Sequence, residues 1–365
     1  GNTAAKLRAG QAVTVAYFGG GIHDAGGWRA AVGRWLKESY PQAKITLLDG
    51  SITDAVRGSG FSVYRFRHDV LEKRPDLVMI DFTSDDHQTP SLDIQRQYEG
   101  IFRQARRANP QLDLVLLHAF RAGMESAYRE RLTPPAVTAI ERVAAAYGVP
   151  SINMGLFAAD LFAKGGWNGH TPNPALNELY ASAVTDGLQT LLAAAPAGEH
   201  PLPKPLREDN LEAAGLLPIT PAMLSGAWSE LPPTHPDRQA QARHFETLWF
   251  TNQPGAKLTF TFTGSDASLY WLIGPDTGRI RVTVDGKDQG IKQQVDPWCY
   301  YQRLASIGLA SGLPPGPHTV VVELLPEPPD RALPIAEAKR SNRYDPRAFE
   351  GVALRLGWIR TIGTP

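Results

Sequence analysis

Val13-Thr14-Val15-Ala16-Tyr17-Phe18-Gly19-Gly20-Gly21-Ile22 decides the fold of the first half of this chain. The apolar run Val13–Phe18 reads as a buried strand, and the glycines after it read as a tight turn into a helical pattern from Trp28 to Tyr40. The same grammar repeats downstream. Ile45–Leu48 is a second strand and Ser62–Lys73 a helix; Leu77–Phe82 is a third strand, entered through Arg74-Pro75-Asp76. Asp93–Arg107 has helical spacing, with Ile94, Tyr98, Ile101 and Phe102 on one face. Leu114–Leu117 is a fourth strand, Ala136–Tyr147 a helix, Pro150–Asn153 the start of a fifth strand, and Pro174–Leu192 a closing helix. Apolar strands alternating with amphipathic helices predict a parallel sheet covered on both faces.

The pattern changes after residue 193. Pro196, Pro201, Pro203, Pro205 and Pro218 mark residues 194–222 as a semi-rigid connector that packs across the first domain. Beyond Trp228 the apolar period becomes two, in Lys257–Thr263, Ser268–Ile273 and Arg279–Val284. Asp285-Gly286 is a hairpin signal, and His318–Leu325 and Val352–Ile359 supply further strands. The expected organisation is an α/β domain over 1–193, the connector 194–222, and an antiparallel β-sandwich of jelly-roll type over 223–365.

Composition narrows the partners. The 365 residues carry 37 Lys plus Arg against 37 Asp plus Glu, so no basic stripe points to nucleic acid. No apolar run is long enough to span a membrane. The one cysteine, Cys299, excludes an internal disulfide and a cysteine metal cluster. That composition suits a soluble protein of the cytoplasm or the periplasm and leaves the compartment open. The first residues, Gly1-Asn2-Thr3, lack an initiator methionine and say nothing about targeting.

Three blocks carry a resemblance. Tyr17-Phe18-Gly19-Gly20-Gly21-Ile22 resembles the first block of the SGNH/GDSL hydrolases, commonly Gly-Gly-Ser-Ile or Gly-Asp-Ser. Arg74-Pro75-Asp76-Leu77-Val78 followed by Asp81-Phe82-Thr83-Ser84-Asp85-Asp86 resembles the block that ends in Asn-Asp. His170-Thr171-Pro172-Asn173, ahead of the closing helix, resembles the His-Pro-Asn block. The resemblance spans residues 13–193 and implies a flavodoxin-like three-layer domain of SGNH type, here followed by a carbohydrate-esterase-like β-sandwich.

Position by position, the family's chemistry is altered. The resemblance implies a serine nucleophile where Gly21 stands and an oxyanion-binding asparagine where Asp85 stands. It implies an aspartate three residues before the histidine, where this chain has Trp167 with Asn168 beside it. Gly58 or Gly60 takes the place of the second-block glycine, and His170 matches the family's base. Asp49-Gly50-Ser51-Ile52 looks like a displaced Gly-Asp-Ser motif, but it follows the second strand and reads as a hydrogen-bonding turn.

The loops beyond the carboxyl ends of the strands then hold Asp24, Asp54, Asp85 and Asp86 with His23, His87 and His170. Paired carboxylates suit acid–base cleavage of a glycosidic bond, with Asp85 or Asp86 as base and Asp24 or His170 as acid. Gly21, His23, Gly58, His87, Trp167, Asn168 and, from the second domain, Trp298 complete the expected oligosaccharide or polysaccharide contacts, the tryptophans by stacking on sugar faces. Trp167 has a second reading, as a plug filling the space of the family's aspartate. No His-x-x-x-His or comparable spacing accompanies these side chains, so no metal and no cofactor is assigned. Two other functions remain open. One is a carbohydrate O-acetyl esterase whose serine is replaced by Gly21, and the other is a glycan-binding protein without catalysis.

Overall fold

The computed structural model describes residues 1–20, 27–52, 58–168, 172–194 and 197–364. The described chain forms two compact units, one running up to Glu212 and one from Ala213 onward. In the first unit, strands β1 (Val13–Gly19), β2 (Ile45–Asp49), β3 (Leu77–Asp81), β4 (Asp113–Leu117) and β5 (Ser151–Ile152) form a parallel sheet in the order β2-β1-β3-β4-β5. The chain therefore starts in the interior, steps once to the β2 edge, and then winds the other way. β1 lies between β2 and β3, with Tyr17 opposite Asp49 and Gly19 opposite Asp81. This reversal of winding beside β1 is where an open α/β sheet leaves a crevice at its carboxyl edge.

Helices α1 (Asn2–Arg8), α2 (Trp28–Ser39), α3 (Ser91–Ala108), α4 (Pro135–Tyr147), α5 (Gly155–Ala163) and α6 (Pro174–Ala194) accompany the sheet. α3 buries Ile94, Tyr98, Ile101 and Phe102, the apolar stripe legible in the sequence. Each such side chain contributes about 1.5–3 kcal/mol on burial. α4 starts with Pro135 at its first turn and stops at Gly148 in the left-handed region, φ 62°.

The helix expected over Ser62–Lys73 is instead broken into Ser59–Ser62, Phe66–Asp69 and Leu71–Lys73. The cause is burial on every side. Phe61, Ser62, Val63, Tyr64, Arg65 and Phe66 are all buried in succession, which one straight helix on a surface cannot achieve. Phe66 packs on Phe18 of β1 at 4.7 Å, and the Arg65 guanidinium lies over the same ring at 5.3 Å.

Residues 197–212 are tied to the first unit through α3. Glu99, fully buried, accepts the backbone N–H groups of Leu206 at 2.6 Å and Arg207 at 3.0 Å, and the Tyr147 hydroxyl at 2.7 Å. Arg103 donates to the Pro203 carbonyl at 2.9 Å and pairs with Glu212 at 2.6 Å.

The second unit is antiparallel. Its strands are β6 (Ala214–Pro218), β7 (Leu224–Ser225), β8 (Ser229–Glu230), β9 (Trp249–Thr251), β10 (Lys257–Ile273), β11 (Ile280–Val284), β12 (Lys287–Lys292), β13 (Arg303–Ala310), β14 (Pro317–Leu324) and β15 (Leu354–Thr364). They pair in the order β12-β11-β14-β10-β15-β9-β8, with β13 and β7 on β10 and β6 on β15. The two strands expected at Lys257–Thr263 and Ser268–Ile273 are one continuous β10. Its first half pairs with β14 and its second with β13, so it passes from one partner to the other through an irregularity near Gly264. Gly264 is required there, because a Cβ would run into the Ile362 carbonyl. The β11–β12 hairpin turns on Asp285 and Gly286, both with positive φ, as the Asp-Gly pair predicts. Tyr270, Trp271 and Trp358 are buried, whereas Trp298 is 50% and Tyr301 43% exposed.

Candidate active site

The carboxyl ends of β2, β1 and β3 are stitched together by backbone bonds. The Gly20 N–H donates to the Asp81 carbonyl at 3.1 Å, and the Ile52 N–H to that of Gly19 at 2.9 Å. After β3 the chain makes a helical turn in which the N–H groups of Asp85 and Asp86 both return to the Phe82 carbonyl, at 3.0 and 2.8 Å. This turn sets the direction of the two carboxylates.

Asp85 is half-buried and packs against the first glycine block. A Cβ on Gly20 would overlap its carboxylate, so this approach requires glycine. Asp86 is 2% exposed. Its Oδ1 accepts the Ser59 N–H at 3.1 Å, and its Oδ2 lies 2.6 Å from Ser59 Oγ, which in turn lies 2.6 Å from Gln97 Oε1. Burial pushes the Asp86 carboxyl up to about 7, against the pull of the Ser59 bonds and with a smaller push from Asp85 and Asp81.

Between the two glycines considered for the second block, the geometry distinguishes their surroundings. Gly58 has φ 88° and ψ 165°, a region open essentially to glycine alone, and a Cβ there would stand 2.6 Å from Asp86 Oδ1. Gly60 instead faces the Gln97 side chain. The structure thus places Gly20, Gly58, Asp85 and Asp86 together at one end of the sheet.

His87 is half-buried with its Nδ1 enclosed and without a hydrogen-bond partner among the described residues. Burial and, after it, the Arg121 charge hold its pKa below the usual histidine value, against a backbone bond to Ser84 and the Asp85 charge. His118, one strand over, is fully committed, with Nδ1 at 2.9 Å from Thr83 Oγ1 and Nε2 at 2.6 Å from Glu141.

Trp167 lies in the hydrophobic core of the first unit, 4% exposed, with Phe120 at 5.7 Å and Phe162 at 6.4 Å. That environment matches the space-filling reading of this tryptophan. Asn168 beside it is exposed, and Asn173 caps α6 by accepting the Leu176 N–H at 2.8 Å. Trp298 is exposed within the second unit. Gly21, His23, Asp24, Asp54 and His170 lie outside the described residues.

Ser51 is 3% exposed. Its hydroxyl lies 2.5 Å from Asp49 Oδ1 and accepts from Arg29 at 3.0 Å, which makes it part of the β2 turn, as its Asp-Gly-Ser context predicts. Sequence reading overlooked Ser59, which holds Asp86, and Gln97, which lies against Ser59. Ser59 sits one residue after Gly58, but nothing in the spacing ties it to a carboxylate 27 positions later. Among the described residues no group of three His, Cys, Asp or Glu side chains is gathered to hold a metal, and no helix is long and apolar enough to cross a membrane.

Comparison with known proteins bears on both units. Residues 11–179 match the GDSL-like Lipase/Acylhydrolase family. Among curated proteins, none matches the sequence closely. Of solved structures, a two-domain esterase (CEX) active on acetylated mannans, co-crystallised with mannopentaose, superposes with TM-score 0.74. It is 20% identical, covering 99% of this chain and 93% of that one. A second structure of a two-domain esterase (CEX) active on acetylated mannans gives TM-score 0.74 at 19% identity, covering 99% and 94%.

Proposed function

Residues 11–179 being a GDSL-like lipase/acylhydrolase domain, we propose that the chain acts on acetylated carbohydrate, as a carbohydrate O-acetyl esterase in which Gly21 replaces the nucleophilic serine. The observation that carries this reading is the likeness over 99% of the chain, both units included, to an esterase whose substrates are acetylated mannans.

With glycine at position 21, no side-chain oxygen is available there, and water takes the nucleophile's place. Its oxygen attacks the acetyl carbonyl carbon while His170, the matched base, takes the proton. Collapse of the tetrahedral intermediate returns that proton to the departing sugar oxygen and leaves acetate. Asp85 occupies the position of the family's oxyanion donor. An ionised carboxylate there opposes the developing negative charge, so turnover is expected to be slow. Asp86 is bonded to Ser59 and buried, which suits it to fixing the turn that carries Asp85.

The test incubates the wild-type chain, Gly21→Ser and Gly21→Ser/Asp85→Asn with acetylated mannan, and measures acetate and new reducing ends separately. Slow acetate release by the wild type, raised in the double variant, is the expected result. Reducing ends without acetate would replace this reading by glycosidic cleavage. Binding of acetylated manno-oligosaccharide with no product from any variant would make the protein a glycan-binding one.

A further inference from the structure

The opposite edge of the first sheet, where the strands enter, holds a cavity of about 260 Å³. It lies between the starts of β3 and β4 and the last turns of α3 and α6. A five-residue strand is about 16 Å long, so this cavity is well removed from the carboxyl-edge residues described above. Leu114, Leu188, Leu191 and Leu192 give it a largely apolar wall, which Thr3, Asp113 and His200 also line.

A buried guanidinium is set into this wall. Arg106 lines the cavity and is 3% exposed. Its Nη1 donates to the Leu112 carbonyl at 2.7 Å, while its Nε is buried with no partner among the described residues. Burial lowers its pKa to about 10. Asp113, which lines the same cavity and whose charge raises the Arg106 pKa against burial, is engaged by the Thr3 N–H at 2.8 Å and by His200 Nε2 at 2.8 Å. A guanidinium withdrawn from water without a carboxylate partner is costly unless an anion completes it.

We propose that this cavity is a binding site for a small straight-chain monocarboxylate, its carboxylate on Arg106 and its alkyl chain against the leucines. Size agrees with a six-carbon acid. The cavity has room for about nine water-sized volumes of roughly 30 Å³ each, against eight non-hydrogen atoms in hexanoate.

The test is calorimetric titration of the full chain with hexanoate and with 1-hexanol, which shares the alkyl chain and lacks the charge. Wild type binds hexanoate saturably and at least about tenfold more tightly than 1-hexanol, the difference a charge-assisted bond makes. Arg106→Gln brings the two ligands to equal affinity, and Leu191→Trp, which fills the cavity, abolishes both. Equal affinity of the two ligands for wild type, or no saturable hexanoate binding up to about 10 mM, overturns the proposal. So does hexanoate binding that survives Leu191→Trp, an arm that decides the matter even where Arg106→Gln fails to fold.

Discussion

Replacing Asp86 with asparagine tests the electrostatics of the carboxyl edge directly. Ser59 Oγ lies 2.6 Å from both Asp86 Oδ2 and Gln97 Oε1, yet a hydroxyl has a single proton. A protonated Asp86 resolves this, because it donates to Ser59 Oγ, which is then free to donate to Gln97. An ionised Asp86 claims the serine proton and leaves two oxygens facing each other at Gln97. This geometry favours the protonated form, as does burial, and the carboxyl is displaced from its ordinary 3.8 to about 7. The unfolded chain therefore releases this proton first. Stability is greatest below pH 3.8, falls as pH rises towards 7, and is level above, with a total loss of about 4 kcal/mol from this one group. Asparagine reproduces the protonated form, its amide donating to Ser59 Oγ and its oxygen accepting the Ser59 N–H. Urea unfolding of both proteins at intervals from pH 4 to pH 8 should give equal stabilities within about 1 kcal/mol at the acid end. Above pH 7 the Asp86→Asn protein should be the more stable by up to about 4 kcal/mol. Parallel curves for the two proteins, or a larger deficit of Asp86→Asn at pH 8 than at pH 4, would refute the reasoning.

Three further outcomes follow from the packing. Trp167→Ala removes a core side chain and should cost about 3–5 kcal/mol in denaturant unfolding; an unchanged midpoint with weakened glycan affinity would instead make Trp167 a ligand platform. Gly58→Ala forces a Cβ into the region at φ 88° and towards Asp86 Oδ1, so it should cost at least about 1–3 kcal/mol by thermal melting. Gly60→Ala meets only the movable end of Gln97 and should cost less, and the reverse order would contradict the assignment. Glu99→Ala strips the partner from two backbone N–H groups and the Tyr147 hydroxyl, at about 1–3 kcal/mol for each orphaned group. Trypsin should then cut faster after Arg207, and an unaltered digestion rate would show that the connector is held by other contacts.

Much of the fold was legible because it rests on short-range pattern. Apolar runs at Val13–Phe18 and Leu77–Phe82, the stripe of Ile94, Tyr98, Ile101 and Phe102, and the Asp285-Gly286 turn each encode their element within a few residues. Where burial overrides local period, the reading failed. The segment from Phe61 to Phe66 is enclosed on every side and breaks into turns, and β10 runs through a bend that its sequence suggested as a break.

The site divides along the same line. The reading that sets Gly21 and Asp85 where the family's serine and asparagine are expected rests on order along the chain, and so on sequence alone. Tertiary structure decided the surroundings of the described residues: Trp167 in the core, Asp85 against Gly20, and Asp86 on Ser59, which Gln97 adjoins. A carboxyl group's proton affinity depends on the water it loses and the donors it gains. Here both donors come from Ser59, 27 positions away, brought near only when the sheet and its helices close around them.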